Sequence, residues 1–138
     1  MIRVLLLLFF AAQADPWTSA DLMPPATLAA AIRDHQAPAV IYVGYPVLWK
    51  EARIPGAPMA GPGSKDEGLA TLRTAVLNIP HDRELVIYCG CCPMEHCPNI
   101  RPAFRMLHEM GFTNVRVLDV PTNMHTDWFS KGYPAERN

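Results

Sequence analysis

Three short apolar segments, Ala39–Val43, Leu85–Cys89 and Val115–Leu118, recur along the chain with stretches of helical periodicity between them. This alternation restricts the fold more than any other feature. A short run rich in Val, Ile and Leu has no polar face to turn to water, so as a strand it must be covered on both sides. The intervening segments supply the cover. Pro24-Pro25 followed by Ala26 to His35 reads as a helix, since proline is tolerated in a first turn and Leu28, Ala31 and Ile32 fall on one side. Ser64-Lys-Asp-Glu67 has the form of a capping box, ahead of a helix with the stripe Leu69, Leu72, Val76 and Ile79. Asn99 stands where it would cap a third helix, with Ile100, Ala103, Phe104, Leu107 and Met110 inward and Gly111 at the end. The pattern predicts one α/β domain with a small, mostly parallel sheet and helices on both faces. Prolines 46, 55, 58 and 62 predict a long loop without regular structure from Gly44 to Gly63.

The 138 residues carry a net charge of −1, with 12 Lys and Arg against 13 Asp and Glu and no basic run. Neither nucleic acid nor an acidic membrane surface is expected as the main partner. Arg3, the apolar run Val4 to Ala12 and the small-x-small end Ala12-Gln13-Ala14 have the layout of a secretory signal peptide. The run is shorter than the roughly 20 residues that span a bilayer. Residues 1–14 are therefore expected to be a leader cleaved after Ala14, and 15–138 a soluble domain in the periplasm or secreted, where free thiols survive only if protected, bound or recycled.

All four cysteines lie between Cys89 and Cys97, so they cannot staple distant parts of the fold. They fall between the C-terminal end of a strand and the start of a helix, the usual place for a ligand in an open α/β sheet. Free backbone N–H groups and the helix dipole favour an anion there, and hence the thiolate form of a cysteine. Cys89 is the expected nucleophile and Cys97, next to the helix, its rival. Cys91 or Cys92 would serve as a resolving thiol. Backbone N–H groups from Gly90 to Asn99 would stabilise a charged intermediate, and Arg101 would anchor an anion or simply lie in solvent. Two local disulfides bracing the loop are the inert alternative, with three possible pairings. A soft-metal site for Cu(I) or Zn(II), built from Cys89, Cys92, Cys97 and His96 with Met94 between them, is the alternative of another kind. His125 and Asp127 follow the third strand on the same edge, either to orient a donor or as a solvated loop in which Asp127 caps a short helix.

Ala52-Arg-Ile-Pro-Gly-Ala57, Leu85-Val-Ile-Tyr-Cys89, Glu109-Met-Gly-Phe-Thr-Asn-Val115, Val117-Leu118 and Lys131-Gly-Tyr-Pro134 occur in this order along nearly the whole mature chain. In order and spacing they resemble the landmarks of a single rhodanese domain. The resemblance implies a rhodanese-like three-layer fold with Cys89 at the catalytic position. It further implies a sulfurtransferase that takes sulfane sulfur from a donor such as thiosulfate, holds it as a persulfide and passes it to a thiophilic acceptor. The partner would be a small sulfur-containing anion or a protein thiol, and no cofactor is needed. Four features depart from the family pattern. The loop from Cys89 to Asn99 is longer, Arg53 replaces a histidine, Tyr42-Val-Gly44 replaces an Asp-x-Arg ending, and Val120-Pro121-Thr122 replaces a Gly-Gly pair. Arg53 would then help bind an anionic donor or simply lie at the surface. A phosphatase or arsenate reductase on a related fold is a weaker alternative, because Cys97-Pro-Asn-Ile-Arg101 only loosely provides the arginine such a loop needs.

Overall fold

Strand pairing follows the apolar runs. The computed structural model describes residues 14–138, so the leader read at residues 1–14 lies outside the described residues except for Ala14. In chain order the elements are β1 (Leu22–Met23), α1 (Pro25–Arg33), β2 (Ala39–Tyr42), α2 (Pro46–Glu51), β3 (Ala52–Arg53) and α3 (Asp66–Ala75). There follow β4 (Leu85–Tyr88), α4 (Ile100–Glu109), β5 (Val115–Leu118), α5 (Met124–Asp127) and β6 (Glu136–Arg137). Four strands form one sheet in the order β1-β5-β4-β2, and every pair is parallel. Ile41 stands opposite Ile87, and Leu85 opposite Val115.

Side chains alternate across this sheet, and each side has its own core. Ile41, Leu85, Ile87, Val115 and Val117 pack with Leu72 and Val76 and with Phe104 and Leu107 of α4. Val40, Tyr42, Val86, Tyr88 and Leu118 pack on the other side with Leu28 and Ala29 of α1, Met124 of α5 and Trp128. The expected sheet with helices on both faces is therefore present. No helix among the described residues is long and apolar enough to cross a membrane.

Two local expectations are corrected, and two short strands come without an expectation. The segment 44–63 is not wholly irregular: it holds α2 and β3, because Pro46 falls in the first turn of a helix, where its missing N–H costs nothing. The capping box at Ser64 does not form. The residue at the helix boundary is Lys65, which makes no side-chain cap, and the Ser64 N–H donates to Asn99 Oδ1 at 3.0 Å instead. Finally, β1 and β6 carry no signal of their own. Each has two residues and exists through a partner, β1 along β5 and β6 antiparallel to β3.

Candidate active site

Cys89 is the first residue beyond β4 and continues its alternation, so its side chain turns with Leu85 and Ile87 toward α4. It is 6% exposed. Burial alone would keep the thiol protonated, yet its pKa is lowered to about 6. The largest cause is a hydrogen bond from the Cys97 thiol. The Asn99 side chain, whose Nδ2 lies 3.6 Å from the sulfur, and the backbone N–H groups of Cys91 and Gly90 add to it. Cys97 is 1% exposed and shifts the other way, well above the thiol range, because it keeps the proton that it donates to Cys89 and because it is buried. The N–H groups of Asn99 and Ile100 face the Cys97 sulfur at the start of α4 and partly oppose that rise. The two thiols thus titrate as a unit, losing one proton near pH 6 and holding the other. Reactivity of Cys89 toward a thiol reagent is expected to climb through pH 6 and level off by pH 7 in the wild type. In Cys97→Ala the inflection should move up toward the ordinary thiol value of about 8.5. An unmoved inflection in rate-against-pH curves would refute this account of the thiolate.

Asn99 occupies the N-cap position of α4 without capping it. Its side chain is fully buried and bridges two elements, accepting from the Ser64 N–H and donating toward Cys89. The Pro- and Gly-rich segment before α3 makes this bridge possible. Gly63 donates its N–H to the Val43 carbonyl at 2.8 Å and runs so close to the Asn99 carbonyl that a Cβ would collide with it. Gly44, just past β2, gives way in the same manner to the sulfur. A Cβ there would lie 2.8 Å from Cys89 Sγ and 2.5 Å from the Tyr42 hydroxyl oxygen. That hydroxyl donates to the Tyr45 carbonyl at 2.7 Å, and burial together with the charge on Cys89 keeps it from ionising. Gly44, Ser64 and Tyr42 were missed as site residues. Their signal is the bare glycine at a strand end and the Gly-Pro-Gly-Ser run, each of which marks a close backbone approach. Gly44→Ala is expected to cost about 1–3 kcal/mol through overpacking and to slow reaction at Cys89. Thermal melts and thiol-labelling rates check both effects.

The remaining predicted residues fall into two groups. Gly90 and His125 come together on the side of the sheet away from α4. There they line a cavity of about 150 Å³ with Tyr42, Tyr88, Met124 and Arg137. Arg53 and Arg101 do not join them, and each is held by partners of its own. Arg53 is held by Glu136 at 3.1 Å, by the Trp49 and Asn138 oxygens, and by the Trp49 ring 4.3 Å away. Arg101 is held by Asp15 at 2.5 Å, by the Glu95 carbonyl at 2.7 Å and by the Cys97 carbonyl at 3.4 Å. It ties the end of the cysteine loop to the segment before β1. Asp127 accepts from the N–H groups of Thr122 and Asn123, so its carboxylate secures the turn into α5.

The expectation that N–H groups all through the loop serve the sulfur is also corrected. Those of Met94, His96 and Cys97 go to the carbonyls of Val120, Pro93 and Met94, while those of Gly90 and Cys91 face Cys89. Cys91 is exposed and donates to Cys92 Sγ at 3.5 Å, and all four cysteines are free. The alternative metal set Cys89, Cys92, Cys97 and His96 is not assembled. Among the described residues no three His, Cys, Asp or Glu side chains gather as metal ligands.

No protein-family model matches the chain, and no curated protein matches it. Solved structures do. A rhodanese-like domain of an Anabaena sp. protein superposes with a TM-score of 0.64 at 17% identity, over 86% of this chain and 80% of that one. A thiosulfate sulfurtransferase from Pseudomonas aeruginosa gives 0.61 at 18% identity, over 85% of this chain and 20% of that one. A polysulfide-sulfur transferase homodimer from Wolinella succinogenes gives 0.60 at 15% identity, over 86% of this chain and 81% of that one. These likenesses show that the architecture is rhodanese-like.

Proposed function

We propose that this rhodanese-fold chain is a sulfurtransferase that carries sulfane sulfur on Cys89. The observation that carries the reading is a buried sulfur held as thiolate by Cys97, Asn99 and two backbone N–H groups at the end of a central parallel strand. With thiosulfate as donor, the thiolate attacks the outer sulfur, the donor's S–S bond breaks and sulfite leaves with its electron pair. The resulting persulfide keeps a single negative charge beside the same donors, so little reorganisation is needed between the two forms. His125 and Arg137 are basic side chains lining the cavity beside Gly90, a cavity that Cys89 itself does not line. In this reading the leader-like segment 1–14 supports a periplasmic or secreted setting, with a small sulfur anion or a protein thiol as the proposed partner.

The half-reaction tests this reading. The protein mixed with excess thiosulfate and no acceptor is expected to release a burst of sulfite equal to one per chain. Polysulfide should load the same sulfur without sulfite. Absence of sulfur uptake from both donors would overturn the assignment.

A further inference from the structure

Cys97 has no part in taking up sulfur beyond lending a hydrogen bond, yet it is a second thiol lining the same small cavity as the first. It is 1% exposed, so no reagent from solution meets it, and the reactive group it faces is Cys89. The space on this side of Cys89 is a small cavity of about 10 Å³, lined by Cys89, Cys92, Met94, Cys97, Ile100 and Val120. That holds a water at most and admits no second substrate. The N–H groups of Asn99 and Ile100 at the start of α4 face the Cys97 sulfur and favour the negative charge it would develop on giving up its proton.

Resting on the sulfurtransferase reading, we propose that Cys97 resolves the persulfide internally, so that the protein releases sulfane sulfur as hydrosulfide and closes a Cys89–Cys97 disulfide. The step balances within the chain. Cys97 Sγ attacks Cys89 Sγ, the bond from Cys89 to the sulfane sulfur breaks, and the proton of Cys97 leaves with that sulfur as HS⁻. The two thiols are the reductant and the sulfane sulfur is reduced. A dithiol reductant from outside then reopens the disulfide by exchange through the exposed loop that carries Cys91. Both thiols line the same small cavity, which gives this route the advantage of an intramolecular reaction over any acceptor that must diffuse in. The protein's substrate class thereby extends from sulfane donors to protein or small-molecule dithiols.

The test is one turnover with thiosulfate, without reductant. The wild type is expected to yield one hydrosulfide per chain after the sulfite burst, and peptide mapping should show Cys89 joined to Cys97. Cys97→Ser retains a hydroxyl donor but no thiol. It is expected to release sulfite, hold the added sulfur on Cys89 and give no hydrosulfide. Should that variant not fold, the mapping of the wild type decides alone. A wild-type persulfide that persists beside a free Cys97, or a disulfide that joins other cysteines, would overturn the proposal while leaving sulfur transfer standing. Absence of the sulfite burst would overturn both.

Discussion

Cys89→Ser is expected to lose sulfur transfer by on the order of 10³-fold or more, the scale on which enzymes respond to removal of a nucleophile. Serine fits the same space, and its oxygen can take the hydrogen bonds of Asn99 and of the Gly90 and Cys91 backbone. The fold should therefore survive, and the melting temperature should stay within a few degrees. What is lost is the ionised sulfur, since an alcohol in that place remains protonated at neutral pH. Sulfite release measured against thiosulfate concentration checks the rate. Turnover that survives would move the nucleophile to Cys97, to the exposed Cys91 or to the half-buried Cys92.

The largest effect on stability is expected from Trp128→Ala, about 3–5 kcal/mol. Trp128 is fully buried, its Nε1 donates to the Pro134 carbonyl at 2.9 Å, and its ring meets Tyr133 edge-on at 5.2 Å. One side chain therefore anchors both α5 and the tail that leads to β6. Truncation leaves a cavity beneath α5, whose Met124 N–H donates to the Gly90 carbonyl next to Cys89. Sulfur uptake should fall together with stability for that reason. A melting temperature lowered by on the order of 10 °C or more in calorimetry is the expected readout. A loss under about 1 kcal/mol would show that the tail is not held in this way.

The parts of the fold that were legible are those whose cause is local. Ala39–Tyr42, Leu85–Tyr88 and Val115–Leu118 are apolar enough to demand cover on both sides, and α4 has a continuous inward stripe from Ile100 to Leu107. Leu22–Met23 was illegible because two residues form a strand through their neighbour, here Val117 and Leu118. Pro46 misled because a proline that breaks a helix interior also begins one. At the site, Cys89 follows from its place after a strand. The tasks of Arg53, Arg101 and Asn99 do not follow, because their partners Glu136, Asp15 and Ser64 lie far off in sequence. A guanidinium near an anion site and one that braces a loop look alike until the fold brings a carboxylate to one of them. The Ser64 pattern failed for the same reason, since its N–H found a buried side chain that competed with the cap.

Peptide-resolved mass analysis of the Cys97→Ser protein after brief exposure to thiosulfate tests the central claim most directly. The account predicts one additional sulfur atom per chain, located on Cys89 and removed by cyanide or a thiol. Added sulfur on Cys91 or Cys92 with Cys89 unmodified, or no added sulfur in a folded protein, would contradict it.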